Sequence, residues 1–148
     1  MEELIRAKKR ALYILTECDR TEKQLYEKLR KAGYSEEVIA ETMKYVRSFG
    51  YLNDRKYAVR YIQYYRERKS TVRLRYDLIK KGIPTDVVDA AFEEAGEWDE
   101  RDQIREAAEK KMFKMDMEDP KTYGKVASFL ARRGYRGDDI TSVLREFF

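Results

Sequence analysis

In three stretches of the chain, aliphatic residues fall four apart and the stretch then stops at a glycine: Leu25 and Leu29 before Gly33, Leu74 and Leu78 before Gly82, Val126 and Leu130 before Gly134. Positions four apart share one face of a helix. Lysine or arginine fills the last turn each time, and the residue after the glycine is apolar: Tyr34, Ile83, Tyr135. Six and ten residues past each glycine the chain is apolar again, at Ile39 and Met43, Val88 and Phe92, Ile140 and Leu144. This is the pattern of a helix closed by a left-handed glycine, its carbonyl end matched by cations, with a second helix behind it. The second helices are expected to begin at Ser35, near Pro84–Thr85 and near Gly137–Asp138. The glycines are 49 and 52 residues apart, which marks an internal repeat.

A further helix precedes each pair. The periodicity places these helices over 3–18, 54–69 and 98–116. Asp19 to Thr21 break the first, and Thr21 with Gln24 forms a capping box for the helix that follows. Asn53-Asp54 start the second, and Asp119-Pro120 stand beyond the third. No stretch alternates like a strand. The expected fold is all-α, an elongated and curved array of three tandem three-helix repeats over 1–52, 53–96 and 97–148. Units so small cannot each bury a large core, so neighbours must pack on one another.

The helix expected over 54–69 carries an unusual mixture, Tyr57-Ala-Val-Arg-Tyr-Ile-Gln-Tyr-Tyr-Arg-Glu-Arg-Lys69. On a helical wheel Tyr57, Ala58, Tyr61, Ile62, Tyr64 and Tyr65 fill one arc of about 160°, with Lys56, Arg60, Gln63 and Glu67 opposite. The tyrosines are read as core residues with hydroxyls at its margin; the alternative is a stacking platform for nucleic-acid bases. On the next helix Asp77 has the spacing to pair with Arg73 and Lys81. Arg75 projects among Val72, Leu78 and Ile79, either to snorkel or to meet a partner.

Charge sharpens this picture. The net +4 conceals a segregation: residues 55–82 carry +8 and residues 83–119 carry −8. Such a field suits an anionic partner. The candidate contact residues are Arg60, Arg66, Arg68, Lys69, Arg73, Arg75, Lys80 and Lys81, extended by Arg132, Arg133 and Arg136. The chain has no histidine, so imidazole acid–base chemistry and histidine-bound zinc are excluded. Its one cysteine, Cys18, lies on an apolar-periodic segment and is expected to be buried and inert. No phosphate-cradling glycine loop and no nucleophile–base set occurs, so neither an enzyme nor a metal or other cofactor is expected. The acidic leading residues and short apolar runs predict a cytoplasmic protein with no membrane partner.

Phe49-Gly-Tyr-Leu-Asn-Asp-Arg-Lys-Tyr-Ala58, with the basic helix behind it and Leu78-Ile-Lys-Lys-Gly-Ile83 beyond, resembles the bacterial RecX family of recombination regulators. The resemblance spans nearly the whole chain: Thr21, Leu25, Leu29 and Gly33 match the first helical pair, and Gly50, Leu52, Asp54 and Ala58 the junction after it. Tyr57, Asn53 and Ser70 depart from the residues most common there, and the third repeat fits most loosely. These positions look architectural. Gly33, Gly50, Gly82 and Gly134 suit helix ends, Leu52 anchors a turn, Asp54 can accept N–H groups at the start of its helix, and Ala58 admits a close neighbour. The resemblance implies a monomeric inhibitor of RecA that lies in the groove of the RecA filament on single-stranded DNA. It would lower ATPase, strand exchange and filament stability in recombination and repair, and some members contact DNA directly, duplex included. The competing reading is a free-standing helical DNA-binding protein.

Overall fold

The computed structural model describes all residues, 1–148, and contains nine helices and no strand. They are α1 (Glu2–Glu17), α2 (Glu22–Lys31), α3 (Glu36–Ser48), α4 (Asp54–Tyr65), α5 (Thr71–Lys80), α6 (Thr85–Ala95), α7 (Arg101–Met112), α8 (Thr122–Arg132) and α9 (Gly137–Leu144). Helices α1, α2 and α3 pack on one another around Ala11, Ile14, Leu25, Leu29, Ile39, Met43, Val46 and Leu52. Helices α7, α8 and α9 do the same around Ile104, Ala108, Met112, Val126, Leu130, Ile140 and Leu144.

The chain forms two compact units. One holds Met1–Ile62 and Asp77–Ala95, the other Gln63–Tyr76 and Gly96–Phe148. Helix α5 therefore contributes its C-terminal end to the first and its N-terminal end to the second. Leu74 and Leu78, one helical turn apart, are both fully buried.

The aliphatic stretches end as glycine-closed helices. Tyr34, Ile83 and Tyr135 donate their N–H groups to the Leu29, Leu78 and Leu130 carbonyls, while the glycine before each donates to Arg30, Ile79 or Ala131. Gly33, Gly82 and Gly134 have φ of 93°, 94° and 93°, a conformation that other residues adopt only with strain.

Within each unit one helix start is plugged into another helix end. In the first, Thr21 Oγ1 accepts the Gln24 N–H at 3.2 Å and donates to the Lys81 carbonyl at 2.8 Å. In the second, Ser70 Oγ accepts the Arg73 N–H at 3.1 Å and donates to the Arg133 carbonyl at 2.8 Å. Each hydroxyl thus satisfies one donor left over at a helix N-terminus and one acceptor left over beside a closing glycine. A carboxylate completes each joint. Asp54 Oδ1 accepts the Glu22 N–H at 2.9 Å, and Glu100 Oε1 accepts both the Thr71 N–H and its hydroxyl at 2.6 Å. Added Cβ atoms at Gly82 and Gly134 would meet Lys23 at 2.3 Å and Ser70 at 2.6 Å, whereas one at Gly33 would meet nothing within 4 Å.

Several expectations are corrected. Asp54 caps α2 and not its own helix; Asn53 caps α4, accepting the Lys56 N–H at 3.1 Å. Helix α4 stops at Tyr65 and not at 69: the Arg68 and Lys69 N–H groups close a turn on the Tyr65 carbonyl, and Ser70 beyond it caps α5. Helix α7 begins at Arg101, not 98, after Gly96 at φ 83° and a local turn in which Asp99 accepts the Arg101 N–H. Its far end is Met112, not 116, since Asp116 turns the chain and its carbonyl takes the Thr122 hydroxyl. Cys18 is exposed: the buried stripe Ala7, Ala11, Ile14 would reach it only if α1 continued, and α1 ends at Glu17 with Cys18 extended. Tyr64 is 65% exposed. It lies at the edge of the tyrosine arc, about 140° from the line through Ala58 and Ile62, which are fully buried.

Candidate interaction surface

The segment 63–76 sets cations against aromatic faces. Arg68 lies over the Tyr64 ring at 5.3 Å, Lys69 over Tyr65 at 4.5 Å and Arg73 over Tyr76 at 5.8 Å. Tyr64, Arg68, Arg73 and Tyr76 are exposed, so these cations and rings face solvent together, whereas Lys69 and Tyr65 are both half-buried. The turn that closes α4 brings Arg68 and Lys69 back over rings four residues earlier, and within α5 Arg73 and Tyr76, three apart, share a face. Arg66 is different. It is half-buried, its guanidinium stands over Trp98 at 5.8 Å and its carbonyl accepts the Gln103 amide. It shares a cleft of about 410 Å³ with Glu97, Asp99, Asp102 and Glu106.

The remaining predicted cations fall into two groups. In the first unit, Arg60 is bound to Asp19 at 2.9 Å, Lys81 stands over Tyr61 at 5.5 Å, and Lys80 is exposed. The Tyr61 hydroxyl donates to Asp77 at 2.8 Å. Arg60 also lines a cleft of about 590 Å³ with Leu12, Leu15, Arg20, Tyr51, Lys56 and Tyr57. In the second unit, Arg75 is half-buried, and Arg133 lies over Phe129 at 4.6 Å while its carbonyl takes the Ser70 hydroxyl. Arg136 lines a cleft with Thr71, Asp99, Arg101 and Asp139.

Arg132 belongs to a feature that charge counting along the chain missed. The cleft between α7 and α8, about 870 Å³, is lined by Lys111, Lys114, Met115, Lys121, Gly124, Lys125, Ser128 and Arg132. Five of these eight are cations and none is acidic. Lys111 and Lys114 were hidden because they sit inside a stretch that is net −8. A signal was present nonetheless: positions 121, 125, 128 and 132 recur at helical spacing opposite buried Thr122, Val126 and Leu130.

Titration behaviour separates the joints from the surface. Burial pushes the Asp54 carboxyl above its ordinary value, while the Glu22 N–H pulls it back. Burial likewise raises the Tyr57 and Tyr135 hydroxyls. Exposed Asp99 behaves oppositely: hydrogen bonds from Arg101 hold it down to about 2.

Two family models match the chain, the RecX first three-helix domain over residues 7–45 and the RecX third three-helix domain over 99–144. The "Regulatory protein RecX" of Clostridium acetobutylicum is 32% identical over 147 residues, covering 96% of this chain and 69% of that one. That of Vibrio campbellii is 33% identical, covering 93% and 89%. The chain belongs to the RecX family. The crystal structure of RecX from Lactobacillus salivarius superposes with a TM-score of 0.84 at 23% identity, over 98% of this chain and 96% of that one, and shows the same helical fold. The two RecX domain models flank α4 to α6, where the cation–ring segment lies. No helix is long and apolar enough to cross a membrane.

Proposed function

We propose that the chain is a non-enzymatic regulator of RecA, cytoplasmic and monomeric, that binds the RecA filament on single-stranded DNA and lowers its ATPase activity, strand exchange and stability. Membership of a family whose relatives are named regulatory proteins carries this reading. The exposed cation–ring surface of 63–76 supports it with a means of meeting an anionic partner. On this reading the repeats divide at 52/53 and 96/97. Arg68, Lys69 and Arg73, with Arg60, Arg66, Arg75, Lys80, Lys81, Arg132, Arg133 and Arg136 around them, approach the filament. Gly33, Gly50, Leu52, Asp54, Ala58, Gly82 and Gly134 hold the framework. The filament groove is its seat, because small helical units packed on their neighbours suit a partner that also repeats.

The test is RecA ATPase on single-stranded DNA, titrated with this protein. Falling activity is expected, and R68E/K69E/R73E should raise the half-inhibitory concentration at least about tenfold while helicity is kept. A chain that leaves RecA turnover unchanged, yet binds naked duplex tightly and sequence-specifically, would establish the free-standing DNA-binding alternative instead.

A further inference from the structure

We infer that the cleft between α7 and α8 grips the phosphate backbone of single-stranded nucleic acid, and that it does so without RecA. The inference deepens the reading above by assigning the nucleic-acid contact to residues outside the cation–ring segment.

What sets this cleft apart is that its five cations line one concavity with no acid among them. Several exposed cations elsewhere are tied to carboxylates: Arg47 to Glu22, Arg60 to Asp19, Arg101 to Asp99, Arg105 to Asp102 and Glu146, Lys110 to Glu106. Lys111, Lys114, Lys121, Lys125 and Arg132 are all exposed, and none forms an ion pair. Five unneutralised charges on one concavity repel each other unless an anion joins them. The row from Lys121 to Arg132 runs about 16 Å along α8, long enough to follow several phosphates. Gly124 and Ser128 lie between the cations, and a Cβ added at Gly124 would meet nothing within 4 Å, so a strand can come close to the helix.

The cleft favours one strand over two. The groove over two helices whose axes lie about 8–10 Å apart is the width of one backbone, so a duplex could present only one of its strands to it. None of the lining residues is an asparagine or glutamine placed to read a base edge, and four of the five cations are lysines, point charges suited to phosphate tracking without sequence preference. Phe113, next to Lys114 at the end of α7, is 84% exposed and makes no ring contact. An exposed ring beside a cationic track is where an unpaired base stacks.

The experiment uses the full chain, RecA-free, and a fluorescein-labelled oligothymidylate followed by anisotropy from about 50 to 200 mM salt. K114Q/K121Q/K125Q should weaken binding at least about tenfold at low salt and flatten the log–log salt dependence by about 2, at roughly 0.7 per lost phosphate contact. K28Q/K31Q/K44Q removes the same charge from exposed positions in the first unit and should leave affinity within about twofold. Circular dichroism checks that both variants keep their helicity. Equal losses in the two triple variants, no loss in the first, or tighter binding of duplex DNA or polyglutamate than of the oligothymidylate would each overturn the inference. Since RecA is absent, these outcomes are independent of the ATPase test.

Discussion

Thr21 in one unit and Ser70 in the other each donate a hydroxyl hydrogen to the carbonyl before a closing glycine, yet the carboxylates beside them are used unequally. Asp54 accepts a single N–H and remains half-buried; Glu100 is only 8% exposed and accepts two donors from Thr71. Gln24 adds a capping box at the first joint, while Arg73 occupies the matching position at the second. The first joint therefore spreads its hydrogen bonds over more groups, and the second concentrates them on one buried carboxylate. Repeats can thus share a geometry while relying on different residues to hold it.

The largest effects should come from the closing glycines. Gly82→Ala and Gly134→Ala combine a left-handed backbone with a clash at the joint and should each cost about 2–5 kcal/mol in urea denaturation. Gly33→Ala has the strain without the clash and should cost about 1–2 kcal/mol. Equal losses at all three would show that the joints are not tightly packed. Next, Glu100→Ala should cost about 2 kcal/mol and Asp54→Ala about 1 kcal/mol. Amide exchange locates each loss: the Thr71 N–H should lose protection only in the first variant and the Glu22 N–H only in the second.

The smallest effect is a difference in the sign of pH dependence. Asp54 titrates above its unfolded value, so its contribution to stability is full below about 3.8 and is lost as pH rises through the raised folded value. Asp99 titrates at about 2, so its contribution is present above 3.8 and is lost as pH falls toward 2. Measured against D54N and D99N, the wild-type stability difference should fall with rising pH for the first and grow for the second. Parallel curves would contradict the burial of Asp54.

Helix periodicity and glycine caps were legible in the sequence because both are local: Leu25, Leu29 and Gly33 announce their helix end without knowledge of any neighbour. The partners of Thr21 and Asp54 were not legible, since Lys81 lies 60 residues from Thr21 and Glu22 lies 32 from Asp54. Asp54 has the chemistry of a cap, and only tertiary structure decides which helix receives it. Tyr64 was misplaced because a wide arc treats its edge like its centre, whereas Ala58 and Ile62 alone define the buried line. The basic cleft escaped notice because a tally by segment averages Lys111 and Lys114 with the acids around them, while folding sorts them onto different faces.

Gly33 has the same backbone as Gly82 and Gly134, but no hydroxyl reaches the carbonyl before it, and the space around it is open. At the start of α8, by contrast, Thr122 turns its hydroxyl back onto Asp116, so that end is already occupied by its own chain. The first repeat's helix end is thus an open acceptor, and the third repeat's helix start a donor already engaged. A hydroxyl from another helix start would find a free carbonyl before Gly33, whereas α8 could offer its own hydroxyl only after Thr122 let go of Asp116.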